Sequence, residues 1–254
     1  MLKLHAHTFH LTAAQCNAQR ELSPAMLTQL IIECATEHAD ILGCGFQRLQ
    51  ADGMAWVLSR LAFEMKRYPG IFEKFTISTW IENFNRHFSQ RNFDIVATDT
   101  GETLGYARSI WVAIDLKTRR PANLENISAI AETVTDRPCP IAPPAKLRQL
   151  ENPAHRREYR FRISDIDFNR HVNSARYVEL MLNSLTLDDF DRNILGRFDI
   201  DYKLEAHFGD TATVSSTLTP EGVMDSEIDV DGRTVTLSRV QLIKRQTNKP
   251  NTQV

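Results

Sequence analysis

Leu27, Leu30, Ile31, Cys34, Ala35, His38 and Ile41 recur at three- and four-residue spacing, a pattern that predicts one long amphipathic helix. Ser23-Pro24 stands in front of it as an N-cap followed by proline at the first helical position. A second stripe, Val178, Met181, Leu182 and Leu185, lies behind Asn173, a residue type suited to capping. After each helix the chain changes to β-branched and aromatic runs separated by turn residues. These predict strands at 56–66, 75–85, 87–98 and 104–115, then at 198–205, 211–219, 224–230 and 234–244. Asp99-Thr100-Gly101 and Asp231-Gly232 mark matching tight turns.

The two series align in detail. Thr76-Ile77-Ser78-Thr79 lies over Thr213-Val214-Ser215-Ser216 at an offset of 137, whereas Gly101 over Gly232 and Arg108 over Arg239 give 131. A hairpin six residues shorter in the second half accounts for both offsets. The reading is an internal duplication, each half an antiparallel sheet curled around its own helix; chance likeness between ordinary strands is the competing explanation. Pro138, Pro140, Pro143 and Pro144 mark a connection, dividing the chain into 1–137, a linker at 138–157, and 158–254. A short helix is expected within 123–133 and a frayed polar tail at 245–254.

Charge narrows the partners. With 30 basic and 32 acidic residues the net charge is -2, so overall charge draws the chain neither to nucleic acid nor to a membrane surface. Three basic clusters remain as places for an acidic partner or as solvated surface: Arg119-Arg120, Arg156-Arg157 with Arg160 and Arg162, and Lys244-Arg245. Cys16, Cys34, Cys44 and Cys139 lack the spacing of a zinc site or a disulfide framework, which fits a reducing compartment. Residues 1–10 carry no charged leader with an apolar core, and no later stretch is long enough to span a bilayer. The expectation is a soluble cytoplasmic protein. His5, His7 and His10 read as alternation along a strand, with no neighbouring ligand in the sequence to complete a metal site.

Acids, amides and an imidazole crowd the entrance to the second helix in Asp165-Ile166-Asp167-Phe168-Asn169-Arg170-His171-Val172-Asn173. A helix start leaves backbone N–H groups unpaired and carries partial positive charge, so it can polarise a carbonyl brought to it. Alone, Asp167, Asn169, His171 and Asn173 would each read as a cap or turn residue; their grouping points to chemistry.

This stretch resembles the Asp-x-Asp-x-Asn-x-His-Val-Asn-x-x-x-Tyr element of the acyl-ACP thioesterases. Further likenesses lie at Trp56 to Arg60, Arg67-Tyr68-Pro69, Thr79-Trp80, Gly101 to Leu104, Ser109 to Val112 and Thr118-Arg119-Arg120, so that nearly the whole chain is covered. The resemblance implies an α+β tandem (double) hotdog fold in which the first half shapes the acyl pocket and the second carries the chemistry. It implies hydrolysis of fatty acyl-ACP to free fatty acid and ACP, with no metal or organic cofactor, and Asp167, Asn169, His171 and Glu205 as the catalytic set. Plant members commonly place cysteine after the glutamate; here Ala206 stands there. A thiolate nucleophile is therefore excluded at that position, while base-assisted attack by water remains. Either Glu205 or Asp167 would be the base, His171 would orient or share the proton, and Asn169 would hold substrate or water. Backbone N–H groups around Asn173 and Ser174 would receive the oxyanion, which makes Asn173 a substrate-binding residue. Trp56 and Trp80, with Trp111, are candidates for the acyl tunnel or for plain core. Asp165 is equally a turn residue. The implied partner is acyl carrier protein docked on a basic rim, in a monomer or a homodimer of a bacterial cytosol. Acyl-CoA hydrolysis and a silent acyl-binding module are the alternatives.

Overall fold

A computed structural model describes residues 2–85, 88–123 and 128–245. The chain runs β1 (Leu4–His10), α1 (Pro24–Ile41), α2 (Phe46–Ala51), β2 (Met54–Met65), β3 (Lys74–Phe84), β4 (Phe88–Ala97) and β5 (Thr103–Asp115). It continues through β6 (His155–Arg160), α3 (Ser174–Leu182), α4 (Leu187–Arg192), β7 (Asn193–Tyr202), β8 (Thr211–Leu218), β9 (Val223–Val230) and β10 (Arg233–Lys244). Ser23 Oγ accepts from Met26 N–H at 3.1 Å and Pro24 opens α1, the start that the sequence specifies. Leu27, Leu30, Ile31, Cys34, Ala35 and His38 are buried, whereas Ile41 is exposed at the helix end.

The strands form one ten-stranded sheet in the order β1-β3-β4-β5-β2-β7-β10-β9-β8-β6, which reads as two equivalent five-stranded halves joined back to back. The joint is antiparallel pairing of β2 with β7, from Arg60 opposite Asp201 to Glu64 opposite Arg197. Phe63 and Phe198 stack there at 5.2 Å and are fully buried, each worth about 1.5–3 kcal/mol of burial. The Tyr68 hydroxyl crosses the joint to donate to Leu195 O at 3.0 Å.

Each half repeats the other beyond its strands. Leu11 N donates to Glu73 O and Leu22 N to Pro69 O; Phe161 N donates to Asp210 O and Val172 N to Ala206 O. Arg20 and Arg170 both adopt positive φ, at 61° and 67°, in the loops before α1 and α3. These pairs lie 150 residues apart before the helices and 137 apart after them, so the second half is thirteen residues shorter between. That deletion leaves α3 short. Leu185, expected on its apolar stripe, lies beyond the helix end, because Thr186 accepts from Asp189 N–H and starts α4. Of the six residues lost later, four leave the β3–β4 hairpin, where Thr76 pairs with Val96 while Thr213 pairs with Asp229. The other two leave the following turn.

Some sequence expectations shift. β7 begins at Asn193 and ends at Tyr202, so Glu205 lies in the loop after the strand rather than at its end. β6 begins at His155, within the stretch read as linker, and pairs with β8 as β1 pairs with β3. A 3-10 helix covers Ser128–Thr133 of the segment expected to be helical; residues 124–127, His87 at the expected start of β4 and the tail 246–254 lie outside the described residues. Arg245, expected in that tail, pairs with Glu21 at 2.6 Å. His5 and His7 meet an acid invisible in the local sequence, Glu37 of α1, at 3.0 and 2.9 Å. All four cysteines are free. Among the described residues no helix is long and apolar enough to cross a membrane.

Candidate active site

The loop ahead of α3 is held by its two aspartates. Asp167 Oδ1 accepts from the N–H groups of Asn169 at 2.8 Å and His171 at 3.1 Å, and Asp167 N–H donates to His171 O. In the first half Asn17 Oδ1 does the same for Gln19 and Glu21. The task therefore requires an acceptor oxygen and no negative charge. Asp165 is 1% exposed. It accepts from Arg162 N at 2.7 Å and from the Tyr159 hydroxyl, and it pairs with Arg176 at 2.8 Å. Its counterpart Gln15 likewise accepts from Thr12 N. Of the two roles read for Asp165, the structure provides the turn role.

Glu205 closes the site from the far side of the loop. Its Oε1 lies 3.5 Å from His171 Nδ1, and its other oxygen is held by the Arg119 guanidinium. Arg119 comes from the first half, in a turn where Asp115 Oδ1 accepts from the N–H groups of Lys117 and Thr118 and from the Thr118 hydroxyl. The Thr118 N–H and O–H hold the Asp115 carboxyl below its ordinary pKa. Arg119 itself is in the left-handed region at φ 59°, the sort of backbone cost that clusters at working sites. His207 stands edge-on to His171 with ring centroids 5.2 Å apart. His171, Glu205 and His207 bring ligating atoms within 4.8 Å of one another, but the Arg119 cation already neutralises the shared carboxylate and opposes a second positive charge there.

The first half shows what the second would lose without these residues. Glu21, at the position of His171, is spent on Arg245, and Gln19, at the position of Asn169, donates to Asp191 at 2.8 Å. Buried Tyr68 takes the position of Glu205. At these equivalent positions only the second half brings an imidazole and a carboxylate together.

The start of α3 accounts for its N–H groups one by one. Asn173 N donates to Asp165 O, Ala175 N to the Asn173 side chain, and Arg176 N to Asn173 O. Asn173 is thus a cap with its own N–H consumed, not an oxyanion donor. Ser174 N–H, at the first helical position, has no intrahelical acceptor. The Tyr177 hydroxyl accepts from Ala206 N at 3.1 Å, and burial drives its pKa upward, so it keeps its proton.

One cavity of about 650 Å³ joins these groups to the first half. Its lining includes Asp167, Asn169, His171, Ser174, Tyr177 and Glu205, and it extends past Leu58 of β2 and Trp111 of β5 to β4 and α1. Trp56 lines it, with its indole N–H donating to Cys44 O at 2.9 Å. Trp80 does not. It lies on the opposite face of β3 from Ile81, donates to Arg137 O and is covered by the Arg137 guanidinium at 4.3 Å. Alternation along the strand, where neighbouring side chains take opposite faces, is the reason. Ala206 is fully buried in the core, so the chain directly after Glu205 turns away from the cavity. Of the arginines considered for a basic rim, Arg157 is spent on Asn183 O and Leu180 O at the end of α3.

The acyl-ACP thioesterase N-terminal domain model matches residues 3–130 and the C-terminal domain model residues 149–247. The chain belongs to the acyl-ACP thioesterase family. It is 34% identical to an acyl-ACP thioesterase from Bacteroides thetaiotaomicron of known structure, covering 95% of this chain and 98% of that one with a TM-score of 0.89. It shares the double hotdog fold of the 12:0-ACP thioesterase from Umbellularia californica at 20% identity, covering 96% of this chain and 99% of that one with a TM-score of 0.87. The chloroplastic oleoyl-acyl carrier protein thioesterase 2 of Arabidopsis thaliana is 25% identical over 84% of this chain, which spans 63% of that protein's length.

Within this family member, sequence reasoning passed over Arg119 as a site residue, although it stood in a basic pair and in a resembling motif. Its signal was the acidic start of the turn in Asp115-Leu116-Lys117-Thr118-Arg119. Tyr177 closes the motif quoted for the resemblance but was given no role, and His207 carried no signal separable from an ordinary surface residue.

Proposed function

We propose that the protein hydrolyses the thioester of a fatty acyl chain carried by acyl carrier protein, with Glu205 as the base for an attacking water. The observation that supports this most is the Glu205 carboxylate facing His171 Nδ1 at one end of a cavity whose remainder is largely apolar. Water placed between substrate and Glu205 gives up a proton to the carboxylate, directly or through His171, as its oxygen bonds to the carbonyl carbon. Ser174 N–H and the Tyr177 hydroxyl are donors for the oxyanion that forms. Collapse of the intermediate breaks the carbon–sulfur bond, and the proton passes to the departing phosphopantetheine thiolate. Arg119 keeps one Glu205 oxygen occupied, which aims the other at His171. Asn169, at the exposed edge of the cavity, holds substrate or water. Trp56 serves as wall for the acyl chain.

In this reading residues 1–137 supply the acyl slot and the chain from β6 onward the reacting groups, with the stretch from Pro138 up to His155 as the connection. The cavity lining also includes Phe46 and Phe168, in edge contact at 5.4 Å, and the basic side chains Lys203, paired with Asp201, and Arg119, paired with Glu205. Exposed apolar and basic side chains together suit an acidic carrier.

Between the two carboxylates, the spent Asp167 oxygen favours Glu205 as the base. Asp167→Asn is expected to stay within about tenfold of wild-type kcat, since an amide oxygen can accept the same two N–H groups, whereas Asp167→Ala releases the loop and loses about 100-fold or more. The assay is release of free fatty acid and holo-ACP from acyl-ACP over a range of chain lengths, with acyl-CoA run in parallel. Absence of hydrolysis with acyl-ACP at every length would overturn the function, and equal losses in the two Asp167 variants would restore Asp167 as a base.

A further inference from the structure

The inward face of β4 changes character along its length. Phe93, Ile95 and Ala97 pack into the core beneath α1, and then the same face continues as Arg91 and Ser89, both lining the cavity. Arg91 is 5% exposed and Ser89 4%. Among the described residues, the only hydrogen-bond partner of the Arg91 guanidinium is His38 Nδ1 of α1, at 2.6 Å. Burial holds the His38 pKa down to about 4, so its ring is neutral at ordinary pH and brings no counter-charge. With Nδ1 accepting from Arg91, Nε2 carries the hydrogen and donates to Leu2 O at 3.0 Å. Burial lowers the Arg91 pKa to about 10, which leaves the cation in place at neutral pH. A guanidinium has five donors, and one of them meets His38. The Ser89 hydroxyl is buried with no partner. This cavity end therefore holds a cation without a carboxylate and a hydroxyl without a bond, both of which are costly to leave against hydrocarbon.

Sheet register fixes where this end lies. Ser89 pairs with Trp111, Trp111 with Leu58, and β2 with β7, which leads to Glu205. Three strand spacings separate β4 from β7, or about 14 Å at the usual inter-strand distance. An acyl chain whose carbonyl sits at His171 and Glu205 would cross the strands past Leu58 and Trp111 and end at Ser89 and Arg91.

We propose that Arg91 and Ser89 form a polar floor to the acyl slot, which rejects a methyl terminus long enough to reach it and accepts a chain whose far end carries an oxygen. This rests on the thioesterase reading for the identity of the ligand, and it adds which chains the slot admits. A methyl group arriving at the floor would strip water from Arg91 and Ser89 and return no hydrogen bond. A terminal hydroxyl would accept from the guanidinium and satisfy Ser89.

The test is a ladder of even-numbered acyl-ACP substrates, each with a methyl and with an ω-hydroxyl terminus, against the wild-type protein. The expected profile has a limiting length beyond which the methyl series falls at least about tenfold in kcat/KM, and at that first refused length the ω-hydroxy substrate recovers at least about tenfold. Arg91→Met and Ser89→Ala should each move the limit of the methyl series toward longer chains. Arg91→Lys, which shortens the side chain but keeps the charge, should leave the limit in place; a limit that moves equally in Arg91→Lys would mean that volume alone sets it. A methyl series preferred over the ω-hydroxy series at every length would overturn the floor, without any reliance on the variants' folding. Calorimetric binding of the free acids to wild-type protein separates the two readings. Failure to hydrolyse any substrate while ω-hydroxy acids bind at least tenfold more tightly at the limiting length would remove the thioesterase reading and retain the floor.

Discussion

Glu205→Gln is expected to lower kcat on acyl-ACP by about 1,000-fold, in the range that removal of a positioned general base produces, with KM little changed. Glutamine keeps the shape, and its amide oxygen can still accept from Arg119, so the loop and the cavity should stay intact. What disappears is the acceptor for the proton of water. Unchanged thermal unfolding alongside lost turnover would assign the loss to chemistry. A variant retaining near wild-type kcat would show that another group takes the proton, with His171 and Asp167 as the candidates at this end of the cavity.

Asp165→Ala is expected to act on stability instead. The substitution removes the acceptor for Arg162 N and the Tyr159 hydroxyl and takes the buried partner from Arg176, which keeps Glu179 and the Tyr159 hydroxyl. Breaking a buried pair of this kind costs about 3 kcal/mol once the partial exposure of Arg176 is allowed for. For a chain of this size that lowers Tm by roughly 6–12 °C. Asp165→Asn should lose less, as Gln15 fills the equivalent place in the first half with a neutral side chain. Calorimetric unfolding reads both. An unchanged Tm with abolished turnover would instead add Asp165 to the catalytic set.

The fold was legible because its periodicities are local. Ser23-Pro24, the apolar row of α1 and the alternation of β2 to β5 each need only a dozen residues to declare themselves, and the duplicated turns at Gly101 and Gly232 both take positive φ as their sequences require. β6 was hidden by proline-rich surroundings, and α2 and α4 by their six-residue lengths, too short to show a period. The site was partly legible. Asp167, Asn169 and His171 share one loop, so a motif could gather them, whereas the pairing of Glu205 with Arg119 spans the two halves and exists only once β2 joins β7. Asn173 and Trp80 show the limit of residue type as a guide. Asn173 is consumed as a cap, and strand alternation turns Trp80 to the face opposite the cavity.

In the proposed reaction water bonds directly to the acyl carbon while Glu205 takes only a proton. Single-turnover hydrolysis in H2 18O, with enzyme in excess over acyl-ACP and both products read by mass spectrometry, tests it most directly. The expected result is 18O in the released fatty acid and none in the peptide containing Glu205. Unlabelled fatty acid, with 18O appearing in the Glu205 carboxylate, would mean that the glutamate attacked the thioester itself and would contradict it.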